Sequence, residues 1–234
     1  MLGTFAVVSA QQITFAHRWP ALGRKISAFV RPQKPYNTKL TPQVLSEFRG
    51  GGLTFFIRHA TRDKITSMPA FDRLMLASSI REHPTYKTAT CLNEQGKAEA
   101  WVLGKVFGYV GIPVGTVYAS PACRTRETAK IAFSRIDRAD RALLYSFSDV
   151  APHVTPKEED ELHLNKIEAL IHEIPKRGNT VIVSHADALI GTELAKVPLT
   201  EAGMVVFKHL DAHRIEVIFQ SSLPEFVVQA IPLQ

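Results

Sequence analysis

Two histidines and two arginines stand where apolar runs of this chain end. Gly51-Gly52-Leu53-Thr54-Phe55-Phe56-Ile57 leads into Arg58-His59-Ala60. Thr180-Val181-Ile182-Val183-Ser184 leads into His185. Between them, Val117-Tyr118-Ala119 leads into Ser120-Pro121-Ala122-Cys123-Arg124. Each run has the composition of a buried strand. In open α/β sheets the carboxyl ends of parallel strands form one rim, and ligands bind there. Two His and two Arg on one rim make a cationic pocket suited to a phosphoryl group.

The chemistry follows from the residue types. A transferring phosphoryl group spreads charge over its oxygens, so it must be positioned in line and its charge met. Arg suits this because its planar fork donates to two phosphate oxygens and stays charged. Arg58 and Arg124 are the two clamps. His59 is the candidate nucleophile, since a neutral imidazole nitrogen attacks phosphorus and the ordinary pKa near 6.5 leaves it mostly neutral at pH 7. Water would then hydrolyse the phosphohistidine. His185 would hold the transferring group by a hydrogen bond, more strongly if protonated. The helix expected after Arg124 is placed to add backbone N–H donors. None of this needs a metal or another cofactor. A lone His at a strand end is more often a polar cap, and a lone Arg is usually surface. Recurrence at one topological place on separate strands is what favours a site. His153, His163, His172, His209 and His213 show no metal-ligand spacing.

Strand-like runs are Leu53–Ile57, Thr116–Ala119, Thr180–Ser184, Met204–Phe207, Arg214–Phe219 and Phe226–Ala230. Asn93 caps a helix carrying Ala98, Val102, Val106, Phe107 and Val110 at helical spacing. A second helix runs from about Arg124 to Phe133. A third starts at Thr155-Pro156, with acidic residues in its first turn and Ile167, Leu170, Ile171 and Ile174 as its buried stripe. Trp101 packs on a helix. Alternating β and α signals predict a three-layer α/β/α sandwich with a mostly parallel sheet. The last three strand runs follow too closely for crossovers, so at least one edge strand is antiparallel.

Composition sets the outer bounds. With 234 residues, 45% hydrophobic and 21% charged, the chain reads as globular with one sizeable core. No apolar stretch approaches the roughly 18 residues of a membrane helix, so no integral membrane segment is expected. Residues 1–52 hold seven basic side chains against Glu47 alone, which accounts for the whole net charge of +6. The rest is balanced, which argues against nucleic-acid binding by the folded domain. Residues 1–42 therefore read as a basic extension and residues 43–234 as the catalytic domain. Three readings of the extension stand: an export signal with a small-residue site at Val8-Ser9-Ala10, an organellar transit segment, or a disordered basic arm behind an upstream start. A basic arm acting on membranes or nucleic acid would bind in a salt-dependent way. Cys91 and Cys123 are too few for a disulfide framework, yet enough for one bridge in an oxidising compartment. Both should lie near the rim. Two reduced, buried thiols are the alternative in a cytosolic protein.

These segments carry a resemblance. Arg58-His59-Ala60, then Ser120-Pro121-Ala122-Cys123-Arg124 with Glu127-Thr128-Ala129, then Val183-Ser184-His185 resemble the three signature segments of the histidine phosphatase superfamily, in order and spacing. Leu92-Asn93-Glu94-Gln95-Gly96 resembles the helix start that follows the first segment. The likeness runs from about Leu45 to the C-terminus. It implies a phosphoglycerate-mutase-like fold, a phosphorylated His59, and Arg58, Arg124 and His185 on the phosphate. Arg62 falls where some phosphatases place a further phosphate-contacting Arg. Gly51-Gly52 and Cys123 beside Arg124 resemble a bacterial, often exported subgroup, which favours a periplasmic or secreted location over the cytoplasm. The substrate class is a small phosphorylated molecule or a phosphoprotein.

Two departures stand out. Ala60 replaces the usual Gly. The proton donor for the leaving oxygen is not evident. The mutase-like branch takes a Glu from the stretch corresponding to Leu143–Val150, which offers only Asp149. The acid-phosphatase branch has Asp directly after the second His, whereas here Ala186 intervenes and Asp187 follows. Asp149 and Asp187 are thus the two candidate acids. A mutase-type phosphotransferase, or a pseudoenzyme that only binds a phosphorylated ligand, are the alternatives. Lys64–Ala89 is expected to cap the rim, with Arg73, Arg81, His83 and Lys87 as contacts to an anionic substrate or as solvated surface.

Overall fold

The computed structural model of the protein describes residues 37–63, 90–145 and 157–233. Six strands form one sheet: β1 (Leu53–Arg58), β2 (Val114–Ala119), β3 (Arg138–Ala139), β4 (Asn179–Ser184), β5 (Met204–Asp211) and β6 (Arg214–Ser221). Their order is β3-β2-β4-β1-β5-β6. β1 pairs parallel with β4, and β2 parallel with β4 and β3. β5 and β6 continue the sheet antiparallel as a hairpin. The expected antiparallel edge is therefore present. The carboxyl ends of β1, β2 and β4 point the same way, which is the condition for a shared rim.

Both faces of the sheet are covered, so the central strands are apolar on both sides. Phe55 and Ile57 of β1, Val117 and Ala119 of β2, and Val181 and Val183 of β4 belong to one core. Over it lie α1 (Pro42–Gly50), α2 (Glu94–Tyr109), α3 (Cys123–Phe133) and α5 (Leu223–Ala230). Edge-to-face rings tie it together: Phe48 to Phe55 at 5.0 Å and Phe55 to Phe107 at 5.1 Å. The residues between, Phe56, Tyr118 and Ile182, turn to the second core with Leu143, Ile167, Leu170 and Ile171, the last three on α4 (Lys157–Ile171). The result is the expected three-layer α/β/α sandwich.

Several local expectations are corrected. Phe226–Ala230 is helix, not strand, because Ser222 and Glu225 form a reciprocal capping box ahead of α5 and Pro224 sits in its first turn. The expected Val106 and Phe107 are buried on α2 and Val110 at its C-cap, but the stripe is completed by Ala100 and Leu103, while Val102 is only partly buried and Ala98 faces solvent. Ile174 lies past the end of α4 and is 52% exposed. Trp101 is 56% exposed, with the Lys105 ammonium 5.3 Å from its ring. α1 was not expected at all; Thr41 caps it through Val44 N, with Pro42 at its start. Packing begins before residue 43. Leu40 is buried and its N–H donates to Gln229 Oε1, while Gln220 N–H donates to Asn37 O. Residues 1–36 lie outside the described residues. No helix among the described residues is long and apolar enough to cross a membrane.

Candidate active site

Register between β1 and β4 puts the two histidines side by side. Arg58 pairs with Ser184, so His59 and His185 are the next residues on adjacent strands. His59 N–H donates to Ser184 O at 2.9 Å, carrying the ladder one step past the strands. The two imidazoles meet edge to face at 5.3 Å, and both are almost fully buried. The turn before β5 holds the other side: Arg58 N–H donates to Gly203 O and Ala202 N–H to His59 O. The same turn receives the Arg58 guanidinium, which donates to Leu199 O at 2.8 Å and lies 3.9 Å from Glu201.

The protonation state of His59 follows from its partners. Its Nδ1 lies 2.9 Å from Ala60 O, and a carbonyl only accepts, so Nδ1 carries the proton. Nε2 then keeps its lone pair. Burial holds the His59 pKa well below the ordinary 6.5, and the charges of Arg124, Arg58 and Arg62 push the same way, against the Ala60 hydrogen bond. The imidazole is neutral and nucleophilic at neutral pH.

His185 is neutral for the same reasons, burial first and the Arg124 charge second. Arg124 Nη2 donates to its Nδ1 at 3.1 Å, so the proton sits on Nε2 and goes to Ser120 Oγ at 2.9 Å. Ser120 Oγ in turn donates to Thr125 Oγ1, whose hydroxyl donates to the Ser120 and Ala122 carbonyls. The chain of donors has one consistent direction. The expectation that His185 holds the group more strongly when protonated meets an opposing environment: burial, and then the charges of the three arginines, disfavour a further cation there.

The loops around the rim are set by close approaches. Ala60 N–H donates to Thr128 Oγ1, whose hydroxyl donates to Arg124 O one turn back in α3. Thr61 is held twice by Glu99, through its N–H and its hydroxyl. Asn93 caps α2 through Gly96 N, and the start of that helix sits against Thr61. A Cβ on Gly96 would lie 1.9 Å from Thr61 O, so only glycine lets α2 come this near the segment after His59. Cys91 and Cys123 are joined, with Cα atoms 4.8 Å apart. The bond ties the entry of α2 to the residue beside Arg124. Leu92 N–H also donates to Glu127 Oε2, on the next turn of α3. Cys91, Cys123 and Glu127 have the spacing of metal ligands, but the sulfurs are bonded to each other.

The structure brings Arg58, His59, Arg62, Arg124 and His185 together: all three arginines act electrostatically on both histidines. Asp187 follows two residues after His185, and its charge is not among those acting on either histidine. Asp187 is exposed on the single turn Ala186–Leu189, with only its carbonyl engaged, by Ile190 N–H. Asp149 lies outside the described residues, as does the expected cap with Arg73, Arg81, His83 and Lys87. Sequence reasoning missed Glu99 and Tyr145, and it gave Ser120 no role. The helical spacing of Gln95 and Glu99 ahead of the second strand held no hint of Thr61. Tyr145 carried no signal.

No family model matches the chain, and no curated protein matches it. Solved structures do. One is the protein histidine phosphatase SixA complexed with tungstate, at 12% identity and TM-score 0.47, covering 74% of this chain and 99% of that one. Another is mycobacterial glucosyl-3-phosphoglycerate phosphatase complexed with VO3, at 16% identity and TM-score 0.46, covering 74% and 100%. A third is an Entamoeba histolytica phosphoserine phosphatase variant complexed with phosphoserine, at 14% identity and TM-score 0.42, covering 74% and 98%. At these values the likeness transfers no activity. The chain is similar to these solved phosphatases, and the grouping of Arg58, His59, Arg124 and His185 is read from its own residues.

Proposed function

We propose that this protein is a phosphomonoester hydrolase that works through a covalent phosphohistidine at His59. The observation that carries the reading is the His59 ring itself: buried, neutral, its Nδ1–H fixed on Ala60 O and its Nε2 lone pair in a pocket with three arginines. Nε2 attacks phosphorus as the ester P–O bond breaks, and the departing oxygen keeps the bonding pair and takes up a proton to leave as the alcohol or phenol. Arg124 leaves His185 Nδ1 for a phosphate oxygen, and Arg58 and Arg62 meet the remaining charge. Water then attacks the phosphohistidine and releases phosphate. The guanidinium groups supply the charge, so the scheme uses no metal. The substrate is a small phosphorylated molecule or a phosphoprotein. Rapid quenching with a labelled aryl phosphate tests the reading. It should trap acid-labile, base-stable phosphate on wild type, and none on His59→Ala, whose turnover should fall by about three orders of magnitude or more. Near wild-type turnover by His59→Ala would overturn it. Phosphate binding without turnover by wild type would favour a pseudoenzyme.

A further inference from the structure

Resting on that reading, we infer that Glu99 is a positioning residue for the nucleophile, acting on His59 through the Ala60–Thr61 peptide. Two contacts lie at opposite ends of that one peptide group. His59 Nδ1–H donates to Ala60 O at 2.9 Å, and Thr61 N–H donates to Glu99 Oε2 at 2.9 Å. The peptide unit is planar, with its C=O and N–H pointing opposite ways. A carboxylate that fixes the N–H end therefore fixes the direction of the C=O end, and with it the acceptor that the imidazole must meet.

The carboxylate is itself held. The Thr61 hydroxyl and Gln95 Nε2 both donate to Glu99 Oε1, at 3.0 and 2.8 Å. Gln95 stands one turn earlier on α2, so helical spacing brings the two side chains together. The same helix start grips the following peptide, where Asn93 N–H donates to Thr61 O. The backbone on both sides of Thr61 is thus set by α2, at the close approach that Gly96 permits.

The charge adds to the geometry. An ionised acceptor strengthens the Thr61 N–H bond and polarises the peptide, which makes Ala60 O a better acceptor and Nε2 richer in electrons. The Ala60 hydrogen bond raises the basicity of His59, against burial and the three arginines. In the other tautomer Nε2 would carry the proton and could not attack. No proton passes through Glu99 in this role; it selects the ring state and holds it.

The test compares wild type, Glu99→Gln and Glu99→Ala at neutral pH. Nitrogen NMR of the substrate-free, isotopically labelled protein reports which nitrogen of His59 bears the proton. Turnover of 4-nitrophenyl phosphate gives kcat/KM, and inhibition by inorganic phosphate reports the pocket separately. Wild type should show the proton on Nδ1. Where a carboxylate bonds a catalytic imidazole directly, its loss is far larger; one peptide away, Glu99→Ala should mix the tautomers and cost about tenfold in kcat/KM. Glu99→Gln keeps an oxygen for Thr61 N–H but not the charge, and should cost about threefold. The phosphate inhibition constant should stay within about twofold in both variants. Phosphate inhibition weakened in parallel with kcat/KM would mean that Glu99 only supports the pocket, which overturns the inference. So would Glu99→Ala with the wild-type tautomer and wild-type kcat/KM. If Glu99→Ala does not fold, Glu99→Gln decides, and unchanged kcat/KM there overturns the inference. Wild type that releases no phosphate overturns the phosphatase reading instead; the NMR readout needs no turnover and still decides whether Glu99 sets the ring.

Discussion

The sheet carries a pair of histidines at each end. At the carboxyl ends of the parallel strands lie His59 and His185; at the opposite end lie His172, just after α4, and His209 on β5. The second pair has ordinary partners. His172 Nε2 lies 3.1 Å from the Glu193 carboxylate, and His209 Nε2 pairs with the Thr54 hydroxyl at 3.0 Å. Both are half-buried, and burial with the neighbouring His172 lowers the His209 pKa. The first pair is buried and faces three arginines, and among the described residues no carboxylate charge is found acting on it directly. A histidine near a strand end thus acquires the state that the proposed attack requires from its surroundings. It needs a fixed tautomer, a bare nitrogen and cations for the incoming anion. The far pair has a hydroxyl and a carboxylate instead, which hold imidazoles without calling in phosphate.

The largest break in this contrast, short of removing His59, should come from Arg124→Ala. It deletes a preorganised cation and the donor to His185 Nδ1. The expected loss in kcat/KM is about 2–4 kcal/mol, or roughly 30- to 10³-fold. A loss under tenfold would mean that Arg124 does not meet the phosphate.

Opening the Cys91–Cys123 bond should act next. It closes a loop over a sequence separation of 32, worth about 3–4 kcal/mol in the chain-entropy model. For a protein this size that is a fall of roughly 6–16 °C in Tm. Scanning calorimetry of the Cys91→Ser/Cys123→Ser double variant against wild type measures it. Free thiols in wild-type protein, detected by mass spectrometry without reduction, would contradict the bond.

The pH dependence reports mainly on the rim pair, whose pKa values are the more strongly lowered. The folded-state pKa values of His59 and His185 are depressed, so between those values and the unfolded value near 6.5 the unfolded chain binds protons that the fold refuses. Stability is full above about pH 6.5 and falls as the pH drops through that window. The slope is at most about 1.4 kcal/mol per pH unit for each group. Urea unfolding at pH 7, 6 and 5 should show it, and His59→Gln should flatten it. Catalysis should move the other way from a normal histidine, with activity persisting below pH 6.5 because His59 stays neutral.

The smallest effect is expected at the far end. His209→Gln keeps a hydrogen-bonding group opposite Thr54 and should change kcat/KM by less than about twofold, within the range of substitutions remote from a site. A tenfold loss would show that the two ends of the sheet are coupled.

Much of this was legible in the chain. Short apolar runs ending in Arg-His, Ser-Pro and Ser-His named three strands, their shared rim and four of its residues, because strand burial and strand ends are local patterns. The cap of α2 was equally local, written in Asn93 and Gly96. The helix Leu223–Ala230 was misread as a strand because Phe226, Val227 and Val228 look β-like, although Ser222, Pro224 and Glu225 spelled its start. What only the tertiary structure decided are contacts between residues far apart in sequence. Arg124 reaches His185 across 61 positions, and Arg58 reaches Leu199 across 141. The edge of Tyr145 meets His185, and Cys91 bonds to Cys123. The tautomer of His59 belongs here too: its acceptor, Ala60 O, is the very next residue, yet the imidazole turns onto it only where neighbouring strands and guanidinium groups close around the ring. Composition and spacing nominated the imidazole. Burial and the field of three folded-in cations made it neutral.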